Sequence, residues 1–290
     1  MIRGFQLRGI IPAMVTPFAA NGQVAEDQLR REAEFLTKAG VDGLCVGGTI
    51  SETAGASASE LHRICAAVIS STDRPVIAGI FPDCNVEAYE LADACVSTRG
   101  IQALLVAPPH YLFSPEADGM AEMFRTLRTR ISVPILLSNS ILTAPVDLAT
   151  IASLISAQLI DGVHQVGNAH LLADILNLTH RVPVFSGVED LLYMAFLLGA
   201  EGVISAHATV FPSECVALYR AHLQQDFASA RTIHEDLNRR WRVLDHPVEF
   251  LSRIKAVLDL QSRPVGSARS PYHLISAEGQ RSVRQLCQRS

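Results

Sequence analysis

Lysine is nearly missing from this chain. Of its 24 lysine and arginine residues only two are lysines, Lys38 and Lys255. Chemistry that begins with a primary amine therefore has few candidates. Basic excess is missing too: the formal net charge is −5, which leaves no electrostatic footprint for nucleic acid. The six cysteines (Cys45, Cys65, Cys84, Cys95, Cys215, Cys287) include no C-x-x-C pair. That argues against a zinc or disulfide framework and for buried thiols in a reducing compartment. No run approaches the ~18 apolar residues of a membrane span. The opening stretch MIRGFQLRGIIPAMVTPF has no long apolar segment ahead of a small-residue cleavage site. A soluble cytoplasmic protein that binds neither nucleic acid nor membrane is expected. No G-x-G-x-x-G follows the first apolar segment, so a dinucleotide fold loses its best sign and no cofactor is expected.

What the chain does have is apolar residues, 49% against 18% charged, enough for one large core. Short apolar segments recur at 9–18, 41–49, 75–80, 101–109, 133–140, 159–168, 182–186 and 202–208. Most are followed by helical periodicity, at 26–39, 59–71, 86–98, 117–130, 147–157, 171–179 and 190–198. In the first of these Leu29, Ala33, Phe35 and Leu36 fall on one inner face, and Gly40 ends it. Eight apolar strands alternating with helices predict an α/β fold of parallel strands, closed as a (β/α)8 TIM barrel. From 212 to 260 the chain reads as wholly helical, and 267–276 as a polar connection to a last short helix. Residues 1–212 are thus expected to form the barrel. Residues 213–290 are expected to form a C-terminal helical extension packed on it as one structural unit.

A barrel of this kind keeps its chemistry at the C-terminal ends of the strands. His164 falls there, near the end of LIDGVHQVGN. Its ordinary pKa of ~6.5 suits proton transfer at neutral pH. Ser138 lies on the adjacent strand, and a Ser–His pair is the start of a nucleophile arrangement. Thr49, with the backbone N–H groups of Gly47, Gly48 and Ser51, could hold a carboxylate, with Glu52 as a loop anchor. Asn139, Gly187, Glu189, Ser205 and His207 complete the expected substrate-binding set. His207 is read as lying on the eighth strand, near His164. A metal there would need Glu52 or Glu189 as a third ligand, and the spacing forms no compact ligand motif, so no metal is expected. Cys45 should lie buried beneath the loop after the second strand. NRRWR at 238–242, with the only tryptophan, reads as a solvated or interface face.

The runs GIIPAMVTPF, VGGTISET, APPHY, SGVED, GVISAHATVFP and HPVEFLSRIKAVLDL resemble, in order and spacing, the dihydrodipicolinate synthase/N-acetylneuraminate lyase family. The resemblance spans roughly 9–286. It implies class I aldolase chemistry, in which a lysine at the end of the sixth strand forms an imine with a 2-oxo acid, and it implies a homodimer or homotetramer. The lysine position falls on His164, and imidazole is no primary amine. The family's relay tyrosine falls on Ser138, and its arginine position near Thr143. The hydroxyl pair becomes Thr49 and Ile50, and the glycine of G-x-x-G-E becomes Ser51, while Glu52 and Tyr111 remain. The resemblance therefore predicts a small oxo acid or carboxylate as partner, and the departures predict that no imine forms. Two functions stay open. One is a divergent lyase or aldolase-type enzyme with His164 as acid/base, joined by Tyr111 and Ser138. The other is a catalytically inactive protein that binds a ligand or a partner subunit. Whether the mouth is an open polar pocket or is plugged by Ile50 should discriminate them.

Overall fold

The structure of the protein, a computed structural model, describes residues 7–110, 114–178, 182–272 and 274–288. Eight strands run in parallel: β1 (Gly9–Pro12), β2 (Leu44–Val46), β3 (Val76–Ile80), β4 (Ile101–Val106), β5 (Ile135–Asn139), β6 (Gly162–Val166), β7 (Val184–Gly187) and β8 (Gly202–Ser205). They pair in the order β1-β8-β7-β6-β5-β4-β3-β2. The ring closes where Ala13 bridges Cys45 in parallel and Met14 N–H donates to Cys45 O at 2.8 Å. Every strand residue is buried except Gln102 and Val166. Such strands must be apolar on both faces, which is why they read as continuous apolar runs. The expected (β/α)8 barrel is present.

The helices cover the outside. They are α1 (Glu26–Lys38), α2 (Ala58–Ile69), α3 (Asn85–Ser97), α4 (Ala117–Arg130), α5 (Leu148–Ser156), α6 (Ala169–Leu178) and α7 (Leu192–Leu197), then α8 (Ala206–Val210) directly after β8. In α1, Leu29, Ala33 and Leu36 are fully buried as expected, but Phe35 is 42% exposed and lies under the Arg263 guanidinium instead. The segment expected as strand at 202–208 is strand only to Ser205. Ser205 Oγ accepts from Ala208 N–H and caps the start of α8, so the chain turns helical at Ala206. Sharp approach of backbones explains Gly47: its φ is +75°, and a Cβ there would stand 2.3 Å from the carbonyl oxygen of Gly79.

The extension comprises α9 (Pro212–Leu223), α10 (Phe227–Leu244), α11 (Phe250–Leu260) and α12 (Ala277–Gln288). Trp241 is buried, not solvated as its arginine-rich surroundings suggested. It stacks on His207 at 4.2 Å between ring centroids and meets Phe250 edge-on. The tail is stitched to the barrel by buried charge. Lys255 Nζ reaches Glu52 Oε1 at 2.5 Å, donates to Thr16 O and Ser267 O, and sits over the Phe18 ring. Arg269 donates its backbone N–H to Glu52 and its guanidinium to Glu60 and Gly22 O.

Removing one member of a buried ion pair strands the other without compensation, at a cost of about 3–5 kcal/mol. Lys255→Ala is expected to lower the unfolding free energy by that amount in urea denaturation. A loss below about 1 kcal/mol would show that the pair does not hold the tail.

Candidate active site

Every strand contributes to one cavity at its C-terminal end. Its floor and walls take Ala13 just past β1, Cys45 from β2, Phe81 past β3, Leu105 from β4, Ser138 from β5, His164 from β6, Gly187 from β7 and Ile204 from β8. Its volume is about 120 Å³, room for a small molecule. Ile50 forms part of the wall without plugging it.

The strand period of two decides which candidates face inward. His164 and Val166 line the cavity, whereas Gln165 between them points outward. Ser138 is the cross-strand neighbour of His164 and also lines the cavity, as does Ser140. Asn139, expected in the substrate set, has the opposite parity. Its side chain bonds both the N–H and the carbonyl of Val146 and the Gln165 side chain, so it braces the loop after β5 from behind. Ser205 likewise faces away from the cavity and donates to Glu189 at 2.6 Å.

His164 is buried. One ring nitrogen, Nε2, lies 3.1 Å from the carbonyl oxygen of Ile204, an acceptor, so that nitrogen carries the proton. Nδ1 then presents a lone pair, and it has no hydrogen-bond partner. The ring occupies space that only glycine leaves: a Cβ at Gly187 would stand 2.5 Å from Nε2. Burial pushes the His164 pKa down to about 4, against the smaller opposing effects of the Ile204 carbonyl and the Glu189 carboxylate. This corrects the expectation of a group poised near neutrality. At pH 7 His164 is a neutral acceptor and has no surplus proton to give.

No hydrogen bond joins Ser138 to His164; Ser138 Oγ pairs with Ser140 Oγ at 2.9 Å. The nucleophile arrangement is therefore not assembled. In the loop after β2, Gly48 and Thr49 line the cavity, and Thr49 is exposed at its rim. Ser51, expected to help hold a carboxylate, is committed elsewhere: its N–H donates to Gly48 O and its hydroxyl to Met14 O at 2.6 Å. Gly47 lies behind the wall against Gly79. Glu52 is the anchor of the tail described above. Tyr111 lies outside the described residues.

Glu189 lines the cavity and is fully bonded. It accepts from Ser205 Oγ, from Ala206 and His207 N–H, and from His207 Nδ1 at 2.9 Å. Burial works to raise its pKa, yet these donors together hold it below the ordinary carboxylate value. His207 is not on the eighth strand and not in the cavity. It sits on α8 with Nε2 3.3 Å from Leu237 O, packed under Trp241. With both its nitrogens occupied it is no metal ligand, and no group of three metal-ligating side chains occurs among the described residues. Ser140, Phe81 and Phe250 are wall residues that the sequence reading missed; parity from Ser138 was enough to find Ser140.

Neither lysine reaches the cavity. Lys255 is held by Glu52, and Lys38 is 79% exposed on α1, 3.8 Å from Glu34. No described residue of the wall is a lysine or arginine.

The fold and the mouth cavity place the chain among (β/α)8 barrels whose site lies within the C-terminal strand ends. A model of the dihydrodipicolinate synthetase family matches residues 6–290, and the chain belongs to that family. It is 30% identical over 287 residues to a 4-hydroxy-tetrahydrodipicolinate synthase of Methanothrix thermoacetophila, covering 96% of this chain and 95% of the relative. The dihydrodipicolinate synthase of Aquifex aeolicus superposes with a TM-score of 0.89 at 27% identity, over 98% of both chains. A catalytic-lysine mutant of the Ruminococcus gnavus sialic acid aldolase shares the fold, with a TM-score of 0.91 at 19% identity over 99% of this chain and 97% of that one. Membership of this family supports an aldolase or lyase-type function. No described helix is long and apolar enough to cross a membrane.

The lowered pKa of His164 has a measurable consequence. Its value in the folded chain, about 4, lies below the ordinary 6.5. Between those pH values the unfolded chain binds the extra proton, so stability present above pH 6.5 is lost as pH falls toward 4. The loss should reach about 3 kcal/mol. Urea denaturation series across this range are expected to show a gentler decline for His164→Gln than for the wild type. Equal declines would rule out the shifted histidine as the cause.

Proposed function

We propose that this chain is a lyase or aldolase-type enzyme that handles a small carbonyl or carboxylate compound in the barrel mouth without forming an imine. The observation that carries the reading is the wall of the cavity: His164 stands where the family resemblance calls for the lysine, and both lysines of the chain are engaged elsewhere. An imine needs a primary amine, which imidazole lacks. His164 holds an unpartnered acceptor, Nδ1, that is buried in this structure and meets a ligand only after the ring or its neighbours shift. A base of low pKa removes a proton with little driving force, so its rate contribution belongs at the low end of the ~10²–10⁴-fold range of general bases. Ser138 and Ser140 supply hydroxyls that can orient a carbonyl oxygen.

A second reading, a ligand-binding protein without turnover, is favoured by one specific observation. Glu189, the carboxylate of the wall, spends its oxygens on four internal donors and has little basicity left.

Self-association is proposed alongside, as a homodimer or homotetramer. α6, α7 and the C-cap of α7 leave Leu178, Met194, Leu197 and Leu198 exposed, and exposed apolar surface that forms a patch marks a contact surface. Light scattering should return a multiple of the 31.4 kDa chain mass; a monomer at micromolar concentration would refute it.

Borohydride trapping with pyruvate and related 2-oxo acids, read by intact mass, is expected to leave the chain unmodified. A covalent adduct would overturn the reading. Carbon–carbon cleavage or formation that His164→Ala abolishes would favour the enzyme over the binding protein. A ligand-induced thermal shift that depends on His164, without turnover, would favour the binding protein.

A further inference from the structure

We propose that the ligand of the barrel-mouth cavity carries a plain alkyl group on its carbonyl carbon, and that the cavity discriminates against a hydroxylated one. This rests on the reading above only in placing a small carbonyl or carboxylate compound in this cavity, not in requiring turnover.

The ground is where the wall residues fall around the ring. β8, β1, β2, β3 and β4 are consecutive neighbours, with the bridge from Ala13 to Cys45 joining β1 to β2. They contribute Ile204, Ala13, Cys45, Phe81 and Leu105 to the cavity, and Phe250 joins them from the start of α11. All of these are apolar; burial pushes the Cys45 thiol up to about 12, so it stays uncharged. Among the described wall residues of this arc only Thr49 has a polar side chain, and it is exposed at the rim. The remaining strands, β5, β6 and β7, are also consecutive. They supply Ser138 and Ser140, then His164, then Glu189. The described wall is therefore two-faced, with hydrocarbon on one arc and polar side chains on the other.

A ligand lying between the two arcs is sorted by its two ends. Its oxygens meet the serine hydroxyls of β5 or the Gly48–Thr49 loop after β2. Its remaining carbons face Phe81, Leu105, Ile204 and Phe250. A methylene moved from water onto such a surface strengthens binding by about fourfold. A hydroxyl in the same place gives up its water partners, and these side chains have no polar atom to replace them. An apolar pocket rejects a hydroxyl that stands in for a methyl by up to about a hundredfold. The discrimination comes from the arc opposite the polar strands, so it holds whether the oxygens belong to a ketone or to a carboxylate.

The test is titration calorimetry on the full-length protein with pyruvate, 2-oxobutanoate and hydroxypyruvate. All three are 2-oxo acids of the same charge, and the last two differ only in a methyl for a hydroxyl. 2-Oxobutanoate is expected to bind at least about tenfold more tightly than hydroxypyruvate and about fourfold more tightly than pyruvate. Hydroxypyruvate binding as tightly or more tightly than 2-oxobutanoate would overturn the proposal, and so would failure of all three to bind at millimolar concentration. Phe250→Asn should narrow the ratio several-fold, whereas Phe250→Leu, which keeps the surface apolar, should preserve it. Because Phe250 also meets Trp241, the fluorescence of that single tryptophan checks that each variant is folded. An unchanged ratio in folded Phe250→Asn would overturn the assignment of the apolar arc. Preferential 2-oxobutanoate binding without turnover would leave this proposal standing while the enzyme reading fails. Imine-free turnover of hydroxypyruvate, bound more tightly than 2-oxobutanoate, would do the reverse.

Discussion

Alternation of side chains along parallel strands is the constraint on which the site depends. Once eight strands close into a ring, each second residue faces the interior and its neighbours face the helices. Ser138 and His164 are register partners on β5 and β6 and point into the same cavity. Directly behind them Asn139 and Gln165, register partners of opposite parity, join through a 2.7 Å hydrogen bond. The outer bond fixes the two strand ends against each other, so the inner pair is held at a set separation without bonding to itself. Rigidity of the candidate site is thus supplied from outside it.

The barrel was legible because its strands are buried on both faces and therefore apolar without interruption, and because helical periodicity separates them. Boundaries were less so. Ser205 is a favoured N-cap residue in the run GVISAHA, but one serine at a strand end is a weak stop, and Glu189, arriving after β7 to meet the N–H groups of Ala206 and His207, makes the turn visible. His207 was misplaced for the same reason. Trp241 was misread because its neighbours are arginines, whereas the helix turns the indole inward and Arg240 toward Glu214 and Asp236. His164, Ser138, Gly187 and Glu189, chosen for their place near a strand end, line the cavity. That criterion failed for Asn139 and Ser205, which parity excludes, and for Ser51, whose hydroxyl finds the carbonyl of Met14 across a contact no local pattern announces.

The protein handles its ionisable groups in a consistent way. Glu52 is matched by Lys255 and by the N–H of Arg269, and Glu189 by His207 and the first turn of α8. Each buried carboxylate is satisfied by the scaffold, as burial demands. What the described wall presents is mostly uncharged: the Ser138 and Ser140 hydroxyls, the Gly48–Thr49 loop and apolar side chains, beside a carboxylate already engaged. The same economy makes the C-terminal extension part of the site's support, since Lys255, Arg269 and Trp241 all come from it.

A lysine at the position of His164 would offer a primary amine, nucleophilic when neutral and cationic when protonated. Imidazole held near pKa 4 offers neither a primary amine nor a charge at neutral pH. On the proposed reading, the absence of an imine-forming amine and the absence of a cation at this position are one and the same change. Under the family resemblance this links the chemistry of the chain to its choice of ligand.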